Sequence, residues 1–497
     1  MSPAALLIGL LACAEDKISV EPNIFPDPSA WTRRGPGGPS RSFTEDELGL
    51  ACASLTGGAS DAEHHNLVGI YDGYLLMPWA PESGGGGITV FDFADPCAPI
   101  KVGEAEHSLM RESHTLAVAE VAGRTVLAVD TLRDAEHGGI GFWDLSEPSA
   151  PVWLSELDLP GFHYQDAYFR VSLSTFWQGD LLFVSAGFLG VFVVDVADPS
   201  APELVYQWTE PAFLAGTFHV IGNLALASSA GLSRTMVWDI GDLDNWQLLT
   251  DFEVQEDAGE LRPYYFANIG GRYALFARKD EGGGPMVYDL TVPDAPPRVG
   301  AGASPDGDGG YVFRHEDQLF QGESNFGARY AFDDPALPVE VARFEMPGDF
   351  DTLTPIGNVA VASVDKGGDP GEATLVFPWA TAPDARGPRV DLVNPPDGAV
   401  WVPQGGRIGL SFDEQIEPMS VHSGSLRVWS ADGNAVRGRF YTQENLVNFV
   451  PDTDLPADTT LRVEVPAGGI ADVSGNPTTE SLTFYFATGP TLGAPKW

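Results

Sequence analysis

One pattern recurs through the middle of the chain: a glycine, an alternating apolar strand ending near an aspartate, then a turn of the form DPxxP. It is clearest in GGITVFDFADPCAP, GGIGFWDLSEPSAP and GVFVVDVADPSAP, which end at Pro99, Pro151 and Pro202. Weaker copies end at Trp246, Pro296, Pro338 and Pro388. The spacing of about 40 to 52 residues is that of a four-stranded propeller blade and exceeds a leucine-rich or ankyrin unit. Other strands are legible inside a period. In the third copy they are DAYFRVSLSTF, then DLLFVSA after Gln178-Gly179-Asp180, then GVFVVDV and ELVYQW; the fourth has TFHVIGNLALASSA in the corresponding place. No helical period appears, and 57 Gly with 40 Pro suit many short strands joined by tight turns. The fold expected is all-β, a propeller of about seven blades; two stacked β-sandwiches are the alternative.

The turn has a local cause. Asp or Ser can bond the backbone ahead of it and Pro fixes its own φ, so the chain must leave the third strand there. Over 62–388 the repeats resemble the LVIVD-repeat family of extracellular bacterial propellers, whose namesake strand is matched best by Val191-Phe192-Val193-Val194-Asp195. Blades four, six and seven depart from the motif by losing the Pro or the Asp.

After 388 the repeat stops. The pieces Pro395 to Gly398, Ile408 to Phe412 with Asp413-Glu414, Leu455-Pro456-Ala457 and Asp472-Val473-Ser474-Gly475-Asn476-Pro477 resemble the bacterial Ig-like domain of surface-layer proteins. That resemblance implies a β-sandwich over 389–490, a spacer or adhesion module without catalysis of its own, followed by a tail at 491–497. The Asp472 to Asn476 stretch reads as a tight turn, or as one arm of a calcium site if the fold supplies other carboxylates.

At the other end, Ala4 to Ala12 is apolar over the length of a signal-peptide core rather than a membrane span, and it ends in Leu10-Leu11-Ala12-Cys13. It resembles a bacterial lipoprotein signal, although Met1 to Pro3 lacks a basic residue. The resemblance implies a signal peptide at 1–12, diacylglycerol on Cys13, and a lipidated tether and entering segment over 13–61. A plain cleaved signal is the alternative. Either way the chain is exported, to the outer membrane or cell surface, or to the periplasm or medium. With Cys13 acylated, two thiols remain, and an exported chain tends to oxidise such a pair. A Cys52–Cys97 disulfide is therefore expected, pinning the entering segment to the edge of the first blade; two unrelated small core residues are the other reading.

Acidic residues number 70 against 27 basic ones, a net charge of -43, which excludes nucleic acid as a partner because phosphate binding needs clustered Lys and Arg. Candidate chemistry is sparse. His65, His114, His163, His219 and His315 fall near the first strand of successive blades, where imidazoles could converge on a channel metal, as in iron-dependent propeller oxygenases. Their offsets from the following glycine differ, so isolated hydrogen-bonded histidines are the plainer reading. Asp306 and Asp308 in SPDGDGG mimic the start of a calcium loop, but Asp317 stands where the closing Glu belongs, and an acidic β-turn competes. No GxSxG elbow, HExxH helix or phosphate loop is present. The sequence thus points to a surface binding or scaffold module with an unidentified protein or glycan ligand, attached to the membrane only through its lipid. No cofactor is firm beyond a candidate calcium. A metal-dependent propeller enzyme is the alternative.

Overall fold

A computed structural model describes residues 25–58, 67–81, 84–163, 174–256, 259–280, 282–365 and 367–490. Seven four-stranded antiparallel sheets follow one another around a ring. Blades one to six occupy 69–107, 117–158, 174–208, 215–253, 264–301 and 312–344, each with its strands in chain order from the channel outward. A separate pair of four-stranded sheets forms an Ig-like sandwich after them. Among the described residues no helix is long and apolar enough to cross a membrane.

The repeated aspartates explain why each blade turns where it does. In blade three, Asp195 ends the strand Val191–Asp195 and accepts from the Ala197 amide at 2.9 Å, while Asp198 accepts from Ser200 at 3.0 Å. Blade one repeats this with Asp92 to Ala94 and Asp95 to Cys97. Asp239 and Asp289 keep the first of these bonds in blades four and five, although their turns have lost the full motif. Beyond the turn, the outer strand of blades one to six pairs with a one-residue register shift at the same place, such as Val193/Val194 in blade three. A bulge there increases the local twist, which suits an outer strand.

Blade seven is built differently. Phe350–Ile356, Val359–Val364 and Thr374–Pro378 supply three strands, and the fourth is Ala53–Ser54, paired as Ala53 with Val376 and Ser54 with Leu375. The entering segment therefore belongs to the last blade, not to the edge of the first. The reason is that no strand follows Pro378 to fill the position, so the ring closes on the chain's own beginning. A disulfide joins Cys52, beside that strand, to Cys97 in the turn of blade one, with Cα atoms 5.2 Å apart. It spans the seam between the last blade and the first.

The sandwich has its own core, including Ile408, Leu410, Phe412, Val447, Phe449, Leu461 and Phe484, all nearly inaccessible. The sheet ordered Val390–Asn394, Ile408–Phe412, Leu446–Pro451 and Gly438–Gln443 lies against the propeller face formed by the turns between first and second strands. Buried amides knit the junction. Asn448 accepts from the Gly222 amide at 2.7 Å and from Gln178 at 3.0 Å, and donates to the Val220 carbonyl at 2.9 Å. Asn394 accepts from Asn223 N, and Arg407 N donates to the Asn223 side chain. Backbone meets backbone most closely at two glycines: a Cβ on Gly409 would fall 2.0 Å from Gly222 N.

Residues 25–44 do not form the free tether expected of 13–61. Phe25 meets Trp429 edge-on at 4.4 Å, Arg33 pairs with Glu417 at 2.6 Å, and Arg34 pairs with Asp72 at 2.5 Å. Ser40 and Phe43 then donate to the carbonyls of Ala94 and Thr381. This stretch is a strap across both domains, because its aromatic and arginine side chains find specific partners. Cys13 and the signal segment lie outside the described residues.

Candidate binding mouth of the propeller

The inner strands surround a channel whose two mouths differ. At one, the Ig-like domain inserts Gln415, Ile416 and the hairpin tip Thr442 to Glu444 against Leu67, Ile70 and Phe313 of the channel wall. Glu444 holds a left-handed φ of 55°, and burial pushes its carboxyl up to about 7. Gln443 seals the contact by donating to Thr175 O at 3.0 Å.

Among the described residues the Ig-like domain does not reach the opposite mouth. Just inside it the connection from blade one to blade two lays down Arg111, Glu112, Ser113 and His114, all nearly fully buried. Arg111 donates to Glu112 at 2.9 Å and approaches Asp130 at 4.0 Å; Ser113 accepts from the Asp130 amide. His114 Nε2 is 3.4 Å from Glu112, and Nδ1 is 2.9 Å from the Tyr311 hydroxyl of the connection into blade six. The imidazole stacks on Phe266, which stacks in turn on Tyr311 at 4.3 Å. This buried ionic and aromatic group ties the connection into blade two to that into blade six across the inner wall of the channel. Around this mouth Phe188, Leu232 and Leu261 stand exposed on connecting loops.

The other candidates are scattered. His65 lies outside the described residues, and His163 is half-buried beside Phe162 in the connection toward blade three. His219 sits on the inner strand of blade four, edge-on to Phe176, with no hydrogen-bond partner on either ring nitrogen among the described residues; burial lowers it to about 4, so it is neutral. Among the described residues the histidines do not gather around one point: only His315 stands in a group able to hold a metal, and its companions are Asp384 and Glu414. Asp306 and Asp308 do not converge either. Asp306 is exposed and lies 3.6 Å from Arg343, whereas Asp308 accepts from the Asp280 amide and faces Lys279. Their loop is a turn closed by Gly307 N to Ser304 O. Asp472 accepts from the amides of Gly475 and Asn476, and Gly475 takes a φ of 99°, so this stretch is a tight turn.

Sequence reasoning passed over Arg111, Glu112, Asp130 and Tyr311. The signal available was a run of five polar residues, Arg111 to Thr115, just ahead of the apolar strand Ala117–Val121. It also passed over Asp384.

Residues 384–488 match the family described as Bacterial Ig-like domain. No curated protein matches the chain. Among solved structures it is similar to a protein from Lactobacillus plantarum, with 13% identity over 63% of this chain and 97% of that one and a TM-score of 0.46. It is also similar to the RRP9 WD40 repeats, at 11% identity over 68% and 99% of the two chains and a TM-score of 0.47. BamB from Moraxella catarrhalis gives 10% identity, 63% and 81% coverage, and a TM-score of 0.38.

Proposed function

We propose that this chain is an exported binding scaffold that presents the uncovered mouth of its propeller to a protein or glycan at the cell surface. The observation that carries the reading is the asymmetry of the channel: among the described residues the Ig-like domain covers one mouth and not the other, around which Phe188, Leu232 and Leu261 stand exposed. Ig-like domains of this bacterial kind are typical of surface proteins, which supports the location. In this reading acyl chains on Cys13 hold the molecule at the membrane, and replacing Cys13 by Ser releases it to the soluble fraction.

The test is binding of labelled full-length protein to intact cells and to purified envelope glycan. Phe188→Asp and Leu261→Asp, on loops at the open mouth, are expected to weaken binding at least about tenfold. Trp401→Asp, on the Ig-like domain and 72% exposed, should leave it unchanged. Equal loss in all three variants, or loss in none, would overturn the assignment of the mouth.

A further inference from the structure

The junction between blade six and the Ig-like domain contains a group of ionisable side chains that the channel does not use. His315 ends the inner strand Val312–His315, Asp384 lies in the segment leaving blade seven, and Glu414 follows the strand Ile408–Phe412 of the Ig-like domain. Their side chains are 4%, 6% and 1% exposed. One ligand atom from each lies within 4.8 Å of the others. His315 Nδ1 stands 3.6 Å from Glu414 Oε2, and Nε2 stands 3.9 Å from Asp384 Oδ2. Both separations are too long for hydrogen bonds. Among the described residues Glu414 Oε1 and Oε2 and Asp384 Oδ2 are buried without a hydrogen-bond partner, whereas Asp384 Oδ1 accepts from the Arg386 amide at 3.1 Å.

The surroundings do not neutralise them. Arg386 is engaged by Glu316 and, at 2.8 Å, by Asp413; its nearest approach to Glu414 is 3.9 Å. Arg389 faces Asp413 and Asp391. Asp472 stands beside Glu414 and Asp384: it accepts from the amides of its own turn and from the Asn476 side chain, and its carboxyl meets that of Asp384 in a side-chain hydrogen bond. Of Asp384 and Glu414 only Asp384 Oδ1 is engaged by an amide, that of Arg386, and a carboxyl as deeply buried as Glu414 with both oxygens unbonded is costly unless a proton or a cation completes it.

We propose that His315, Asp384 and Glu414 bind a divalent transition-metal ion, of the zinc class, that ties the Ig-like domain to blade six. An imidazole nitrogen beside two carboxylates selects zinc or manganese over calcium, which takes oxygen ligands. Three protein ligands are enough for a zinc site whose remaining position is held by water. Zinc bonds of about 2.0–2.1 Å bring ligand atoms to roughly 3.3 Å from one another, so the group contracts modestly on loading. The three ligands come from the propeller, the connecting segment and the sandwich. The ion therefore strengthens the docking of the domains, and by linkage raises the melting temperature of the whole chain.

The experiment uses the full chain, stripped with a chelator and reloaded in separate arms with zinc, cobalt, manganese or calcium chloride. Expected are one zinc per chain by plasma mass spectrometry, an upward shift of the melting temperature, and X-ray absorption at the zinc edge showing one imidazole among oxygen ligands. His315→Gln and Glu414→Gln should each weaken zinc binding about 100-fold, whereas Asp306→Asn with Asp308→Asn should not alter it. The wild-type stoichiometry and absorption spectrum decide the matter even where a variant does not fold. No stoichiometric zinc on the folded wild type, an all-oxygen zinc spectrum, or calcium binding that survives His315→Gln would overturn the proposal.

Discussion

The two mouths of the channel are made from the same seven blades and differ in nearly every physical respect. Around blades three and four the covered mouth is sealed by backbone and neutral amides, Gly222 against Gly409 with Asn448 and Gln443 reaching into turns and strands, while its buried ionisable groups, His315, Asp384 and Glu414, gather at blade six. The uncovered mouth carries buried charge, with Arg111, Glu112 and Asp130 held among aromatic rings. Neutral amides fix geometry at little desolvation cost, whereas buried ions are costly and are kept where they can act. The contrast separates the neutral contacts that dock the Ig-like domain on blades three and four from the buried charge kept at blade six and at the opposite mouth.

The largest expected effect lies on the covered side, at the seam. Replacing Cys52 and Cys97 by Ser removes a link closing a sequence separation of 45, which should lower stability by about 4 kcal/mol in the chain-entropy account. Denaturant unfolding of the double variant against wild type measures it; an unchanged midpoint would show that the blade contacts alone hold the seam. Next, Gly409→Val drives a side chain into the Gly222 backbone, and overpacking of this kind should cost about 3 kcal/mol and loosen the sandwich from the ring. Protease cutting within 379–389 reports the release, and resistance equal to wild type would show that the contact yields without cost.

A smaller loss, about 2 kcal/mol, is expected for Asn448→Ala, which strands the Gly222 amide and the Val220 carbonyl. The corresponding substitution of a surface amide, Asn434→Ala, should change the midpoint by under about 0.5 kcal/mol.

The smallest effect belongs to the uncovered side. Glu323, at the second turn of blade six, donates nothing when ionised and accepts from Tyr330 at 2.5 Å; burial pushes its carboxyl up to about 8. A raised carboxyl favours the folded state while protonated, so this group's contribution is full below about 4.5 and is lost as the pH rises to about 8. Glu323→Gln should change stability by under about 1 kcal/mol near pH 4, where the carboxyl is neutral in the folded and the unfolded chain alike, and should flatten the decline that Glu323 causes between about 4.5 and 8. Parallel stability profiles with identical slopes would refute the assignment.

What the sequence made legible, and what it did not, follows the range of the interactions. The aspartate turns are local, bonding two residues ahead, so the blades were readable from the repeat even where the prolines had gone. The Ig-like texture after 388 was readable for the same reason. The last blade's outer strand was not, because Ala53–Ser54 is two residues long and pairs with residues more than three hundred positions away. Nor was the group at the domain junction: Asp413-Glu414 stood out only as a piece of the Ig-like pattern, His315 only as one histidine among several, and Asp384 not at all. Their meeting depends on how two domains dock, which no local spacing encodes.

The shared seventh blade also sets an order of assembly. As the chain emerges from its N-terminal end, Ala53–Ser54 appears ahead of every blade, and the edge it must complete, Thr374–Pro378, appears after the strands of the first six. Cys97, by contrast, follows Cys52 by only 45 residues, so the two can meet as soon as blade one has appeared. The disulfide can thus park the orphan strand beside its eventual neighbour while the rest of the ring is still being made, turning closure from a search by a free chain end into the docking of a final sheet onto a strand already waiting.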